Sequence, residues 1–177
     1  MLTKTNIFIA VLIGLTLLLK AGAAYCEPKN ADELYYKNII PGKTTADEAF
    51  KIAGKTEKTR KNDDNTVSHI YETKKAGYPN EITVKGEQVV HMAITIEDTG
   101  ELNIKDVHKL LGEPKRKGYS FYAFTLRVSA YPEQGMVFIY EDNGGAVVEK
   151  QFFAKCTLEE FEKTFGKNFP EKYPYKM

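Results

Sequence analysis

From Phe121 to Tyr131 the chain reads FYAFTLRVSAY. Tyr122, Phe124, Leu126, Val128 and Ala130 alternate with Thr125, Arg127, Ser129 and Tyr131, the period of two expected of a half-buried antiparallel strand. Two further strands are predicted after it, over Met136–Tyr140 and Val147–Phe153, with Asp142-Asn143-Gly144-Gly145 as the hairpin turn between them. Just upstream a helix is predicted. Asn103 caps it, Val107, Leu110 and Leu111 form its apolar stripe, Gly112 ends it, and Pro114 cannot continue it.

The same order occurs earlier in the chain. Slid by 58 residues, Gly42 falls on Gly100, Gly54 on Gly112, Gly77 on Gly135 and Gly86 on Gly144, while Val89-Val90 falls on Val147-Val148. Glycine at a fixed place in a repeat marks a demand of the backbone. Thr45 caps a helix whose stripe is Ala46, Ala49, Phe50 and Ala53. Strands over Val67–Thr73, Glu81–Lys85 and Val89–Ile96 follow it. The predicted fold class is therefore α+β, in two tandem copies. Each copy packs a helix on a three-stranded antiparallel meander, and a C-terminal helix bearing Leu158, Phe161 and Phe165 follows. The boundaries are 1–24 for a targeting segment, 25–97 for the first copy with a short N-terminal helix, 98–155 for the second, and 156–177 for the last helix and tail. The helices would cover one face of each sheet and leave a polar, aromatic face open.

Ile40-Pro41-Gly42-Lys43-Thr44-Thr45-Ala46-Asp47-Glu48-Ala49, then Ile52-Ala53-Gly54, with Leu111-Gly112-Glu113-Pro114 in the second copy, resembles a family signature. It is similar to the SmpA/OmlA-type small outer-membrane lipoproteins, whose fold is shared with β-lactamase inhibitory protein. The resemblance implies a helix-on-sheet unit and a role in protein–protein contact, as a scaffold or an inhibitor. It assigns no interface residues.

Lys4, the uncharged run Ile7–Leu19 and then Ala21-Gly22-Ala23-Ala24 have the order of a cleavable secretory signal, so the remainder is expected to be periplasmic or secreted. Cys26 and Cys156 can form one disulfide in an oxidising compartment. Over so long a loop it would stabilise the fold by about 3–5 kcal/mol. Lipidation of Cys26 and free thiols are the other readings, and Tyr25 before Cys26 disfavours lipidation. Membrane association would then come only through an uncleaved signal or a lipid on Cys26. A formal net charge of +1 gives no global field for nucleic acid.

No chemistry-bearing motif is present. His69, His91 and His108 lack metal-ligand spacing, there is no Gly-x-Ser-x-Gly, and Ser68 and His69 point to opposite faces of a strand. Neither an enzyme nor a cofactor or metal site is expected. The partner-binding candidates are Tyr71, Arg127, Tyr131 and Phe121, the aromatic and Arg mix that anchors interfaces, with His69 and His91 sharing the open face. The expected partner is another envelope or secreted protein. The alternative is a small ligand or an envelope lipid or glycan held by the basic corners Lys55, Lys58, Arg60, Lys61 and Lys115-Arg116-Lys117.

Overall fold

The computed structural model describes residues 28, 30–56, 58–75, 78–98, 100–121, 123 and 125–172. The predicted signal segment and Cys26 lie outside the described residues. Among the described residues capping chemistry starts each of three α-helices. In α1 (Ala46–Ala53) Thr45 accepts from the Glu48 amide at 3.3 Å while its own amide donates to the Glu48 carboxylate at 2.9 Å. In α2 (Ile104–Leu111) the Asn103 side chain accepts from the Lys105 amide at 3.0 Å. In α3 (Leu158–Thr164) Thr157 and Glu160 form a second capping box. Gly54 and Gly112 end α1 and α2 with φ of +92° and +79°, a region a side chain would strain.

Among the described residues all eight strands belong to one antiparallel sheet, in the order β1-β2-β3-β4-β8-β7-β6-β5. They are β1 (Thr59–Lys61), β2 (Val67–Tyr71), β3 (Asn80–Lys85), β4 (Gln88–Thr95), β5 (Arg116–Tyr119), β6 (Leu126–Tyr131), β7 (Met136–Glu141) and β8 (Val147–Phe153). This corrects the predicted fold class. The chain is not two tandem helix-on-three-strand copies; it is a mostly β molecule built on a single sheet. The reason lies in two sets of backbone pairings. β4 pairs with β8 from His91↔Phe153 to Thr95↔Glu149, so the two meanders share a ladder rather than each forming its own sheet. The basic segments after α1 and α2 also form strands, β1 and β5, which close the outer edges.

Within that sheet the 58-residue spacing marks equivalent fastenings. Thr45 bridges Gln88, and Asn103 bridges Ala146, each tying a helix N-terminus to the start of an inner strand. Gly86 and Gly144 both take positive φ in the turns after β3 and β7. Gly100 does not share the positive φ of Gly42, and Gly77 lies outside the described residues. The expected N-terminal helix is instead two 3₁₀ turns, Ala31–Leu34 and Tyr36–Asn38, because Lys37 and Asn38 adopt left-handed φ. Among the described residues no helix is long and apolar enough to cross a membrane.

The two faces of the sheet are covered differently. On one face Ile82, Met92, Ile94, Phe138 and Phe152 pack with Ala49 of α1 and Val107 of α2. On the other, Val128, Ala130, Val137, Ile139 and Phe153 are sealed by Phe161 of α3 and by Phe169. This second cover lies over β5 to β8 and reaches β4 only at His91, on which Phe165 stacks.

Candidate functional site

The face that α3 covers over β5–β8 continues across β4, β3, β2 and β1, and there it changes chemistry. Cross-strand pairs Ser68↔Thr83, Thr83↔His91 and Ile70↔Glu81 place these side chains on the same face as Ala93 and Gln151. Where the covered half presents valine, isoleucine and phenylalanine, this half presents threonine, glutamate, histidine and glutamine above a fully buried serine, Ser68. It forms the floor of a groove of about 930 Å³ that opens to solvent. One wall is the C-terminal segment with Lys163, Phe165 and Lys167, Phe121 stands on the same side, and the β1–β2 turn with Asp63 and Asp64 bounds the far side.

Hydrogen bonds fix the floor. Ser68, at 0 % exposure, lies 3.2 Å from the Thr83 hydroxyl and accepts from Asn62 Nδ2 at 2.9 Å. The Asn62 amide also donates to Thr66 at 2.9 Å. Arg60 Nη2 donates to both Glu81 carboxylate oxygens at 2.9 Å, and its Nε donates to Asn62 at 3.2 Å. Arg60 is thereby stretched from the edge strand across the floor, with Nη1 making none of these bonds. A register slip between Thr83 and Val84 pairs Val84 with Val89 and Thr83 with His91. Val90 is the extra residue of that bulge, and it lines the groove beside His91.

His91 stacks on Phe165, ring centroids 5.9 Å apart. Burial holds its imidazole below the ordinary value, against a smaller upward pull from Gln151 and the Glu81 charge. Burial likewise pushes the Glu149 carboxyl up. The Gln151 amide that donates to it lowers it, and the Glu81 charge raises it.

The structure separates the six residues expected to share an open face. His91 and Phe121 line the groove, with Phe121 at 45 % exposure. The other four lie on the opposite face. His69 pairs with Ile82 and packs on Phe50 of α1 at 4.3 Å. Tyr71 donates to the Gly54 carbonyl at 2.9 Å. Tyr131, at 1 % exposure, lies in the core and donates to the Gly112 carbonyl at 3.2 Å. Arg127 sits 3.9 Å over the Tyr119 ring and pairs with Asp142 at 2.7 Å. His69 and His91 therefore do not share a surface. Glu81, Thr83 and Lys167 did not stand out in the sequence as residues of a groove, and Arg60 stood out only as part of a basic corner. The signal for two of them was there: Glu81 and Thr83 put polar groups at strand positions that a covered sheet fills with apolar ones.

Two other candidate features resolve into structural fastenings. The second basic corner is internally paired, Lys115 with Glu133 at 3.8 Å, Arg116 with Glu162 at 2.7 Å and Lys117 with Glu113 at 3.0 Å. His108 Nε2 lies 3.2 Å from Ser129 Oγ, with the Glu113 charge nearby. Ser129 is fully buried, so this serine–histidine pair ties α2 to β6 where no substrate reaches. Among the described residues no group of three His, Cys, Asp or Glu could hold a metal ion. Cys156 is unbridged among the described residues, half-buried beside the apolar cluster under α3.

In comparisons with protein-family models, curated proteins and solved structures, no match to this chain is found.

Proposed function

We propose that the chain is an exported, non-enzymatic protein-binding module of the bacterial cell envelope, and that its groove receives a segment of another envelope or secreted protein. The observation that carries this reading is the half-covered face, where a broad, pre-ordered polar floor adjoins an apolar floor sealed by the chain's own helix. Three strand-to-strand steps from β4 to β1 span about 14 Å, enough for one α-helix of ~10–12 Å or for a loop. Small-ligand sites are more enclosed. This groove is open and floored by hydroxyl, amide and carboxylate groups already bonded to one another. The resemblance of Ile40–Gly54 to a family that works by protein contact supports the same reading.

The test is site-specific photo-crosslinking in envelope extracts, with a crosslinkable phenylalanine analogue placed at Phe121 and, as a comparison, at Ile52, which is exposed on the helix-covered side. A discrete protein adduct from position 121 and none from position 52 is expected. Equal labelling from both positions, or no protein adduct from position 121, overturns the reading.

A further inference from the structure

We infer that the groove is the uncovered counterpart of the seat that α3 fills, and that the partner segment it receives is an α-helix presenting neutral serine, threonine, asparagine or glutamine side chains to the floor; this rests on the protein-binding reading above. The register of the sheet places the two seats. The pair Ala93↔Gln151, on the central β4–β8 ladder, is the centre of a two-fold, about which His91↔Phe153 exchanges with Thr95↔Glu149. Glu81, paired with Ala93, answers to Val137, paired with Gln151. Thr83, paired with His91, answers to Ile139, paired with Glu149. Further out, Ser68 answers to Val128 and Ile70 to Ala130. The bulges agree as well, Val90 in β4 with Val148 in β8, so both halves of the face bend at the same place. The apolar residues under α3, Val128, Ala130, Val137, Ile139 and Phe153, therefore have Ser68, Ile70, Glu81, Thr83 and Thr95 as counterparts on the groove side.

α3 shows that a seat of this shape takes one helix. A helix also suits the floor better than an extended segment does. The strands beneath already spend their N–H and C=O groups on one another, so the groove offers side chains alone. An extended segment would bring its backbone donors and acceptors in unpaired, whereas a helix bonds its own. The outer end is closed. Gly118 leaves room for the C-terminal chain to cross β5, where a Cβ would stand 2.9 Å from the Phe169 carbonyl oxygen. Its counterpart on β1 is Arg60, whose side chain takes the corresponding place and reaches Glu81. The chemistry of the stripe follows from charges that the groove settles internally. Arg60 holds Glu81, Lys163 pairs with Glu159 at 2.7 Å, and Lys85 faces the Asp64 carboxylate. Beyond these the groove keeps one cation and one acid, Lys167 and Asp63, so neither an acidic nor a basic stripe is favoured. Neutral hydroxyl and amide groups can bond the Thr83 hydroxyl and the Gln151 amide, with an apolar residue against Phe121 and Phe165.

The test repeats the photo-crosslinking on the mature full chain with the phenylalanine analogue at Phe121, Lys85 and Lys167 in turn, and reads the linked residues of the partner by mass spectrometry. The links are expected to converge on one stretch of one protein, three or four residues apart. Adduct yield should change by less than about twofold between ~50 and ~300 mM NaCl. A synthetic peptide of the linked stretch should bind the chain, and a proline at its centre should weaken it by about tenfold or more. Links at every second residue or in an unbroken run, indifference to the proline, or a tenfold fall in yield over that salt range overturns the inference. A discrete adduct with any of those results sinks the neutral helix alone. Absence of a protein adduct from position 121 sinks the protein-binding reading and the inference with it.

Discussion

Phe161→Ala tests the feature that splits the sheet face in two. Phe161 is 0 % exposed and sits among Phe153 at 5.5 Å, Phe165 at 6.0 Å and Phe169 at 6.4 Å. Truncating a buried phenylalanine costs about 3–5 kcal/mol, from lost transfer energy and from the cavity left behind. α3 has seven residues, too few to stay helical on propensity, so it depends on this docking. Urea denaturation should show a loss of about 3–5 kcal/mol in Phe161→Ala and about 1–1.5 kcal/mol in Phe161→Leu, which keeps most of the volume. At roughly 2–4 °C per kcal/mol, Tm should fall by about 6–20 °C in the alanine variant. Because Phe165 is part of the same segment, undocking would uncover His91, and its imidazole should titrate nearer its ordinary value, measurable by NMR. A loss below about 1 kcal/mol, or equal damage from leucine and alanine, would refute the claim that a packed aromatic cluster holds this wall.

Thr45→Ala and Thr157→Ala each remove one capping box, so each should cost about 1 kcal/mol by chemical denaturation, and the double variant should show their sum because the sites share no partner. His69, His91 and His108 are all held below their ordinary value by burial. The unfolded chain therefore takes up protons first, near pH ~6.5, and the stability they confer is present above that pH and lost as pH falls below it, at up to ~1.4 kcal/mol per pH unit per proton. Glu149, held high, acts in the opposite sense as its carboxyl protonates. Denaturation at pH 7 and pH 5 should show the loss, and His91→Gln should make it shallower; a flat profile would contradict the burial. Non-reducing intact mass of the mature chain should be lower by two hydrogens if Cys26 bridges Cys156; a lipid mass on Cys26 would instead move the protein to a membrane.

The helices were legible because their ends are written in local chemistry. Thr45, Asn103 and Thr157 cap, Gly54 and Gly112 stop, and α1 and α2 run between those marks. Six strands were legible from alternation, though two of them are shorter than the pattern suggests. β2 ends at Tyr71 rather than Thr73, and β6 begins at Leu126 rather than Phe121. Just past β2, Glu72 turns outward to pair with Lys58 at 3.3 Å. β1 and β5 were not legible. Thr59-Arg60-Lys61 and Arg116-Lys117-Gly118-Tyr119 are short and charged, without alternation, as edge strands tend to be, and only the neighbouring strand gives them their conformation. The β4–β8 ladder joins segments far apart in sequence, with nothing local to announce it. The side assignment of β6 failed for a related reason. Both of its faces are covered, so Arg127, Ser129 and Tyr131 looked outward in the pattern while lying on the face that α2 packs against.

The groove's energetics follow from a floor whose polar groups bond to one another. No buried side-chain nitrogen or oxygen among the described residues lacks a hydrogen-bond partner, so the floor gains nothing by closing over on itself. The apolar half could not be left in the same condition. Val128, Ile139 and Phe153 in water would cost roughly 1.5–3 kcal/mol each, which is why α3 stays on them. An occupant of the polar half must therefore win by its own contacts, because the floor's groups already bond to one another. Its affinity has to come from neutral polar contacts and from the aromatic edge at Phe121 and Phe165. A pre-ordered, water-tolerant floor of this kind suits a partner that is bound and released, where an apolar one would demand a permanent cover.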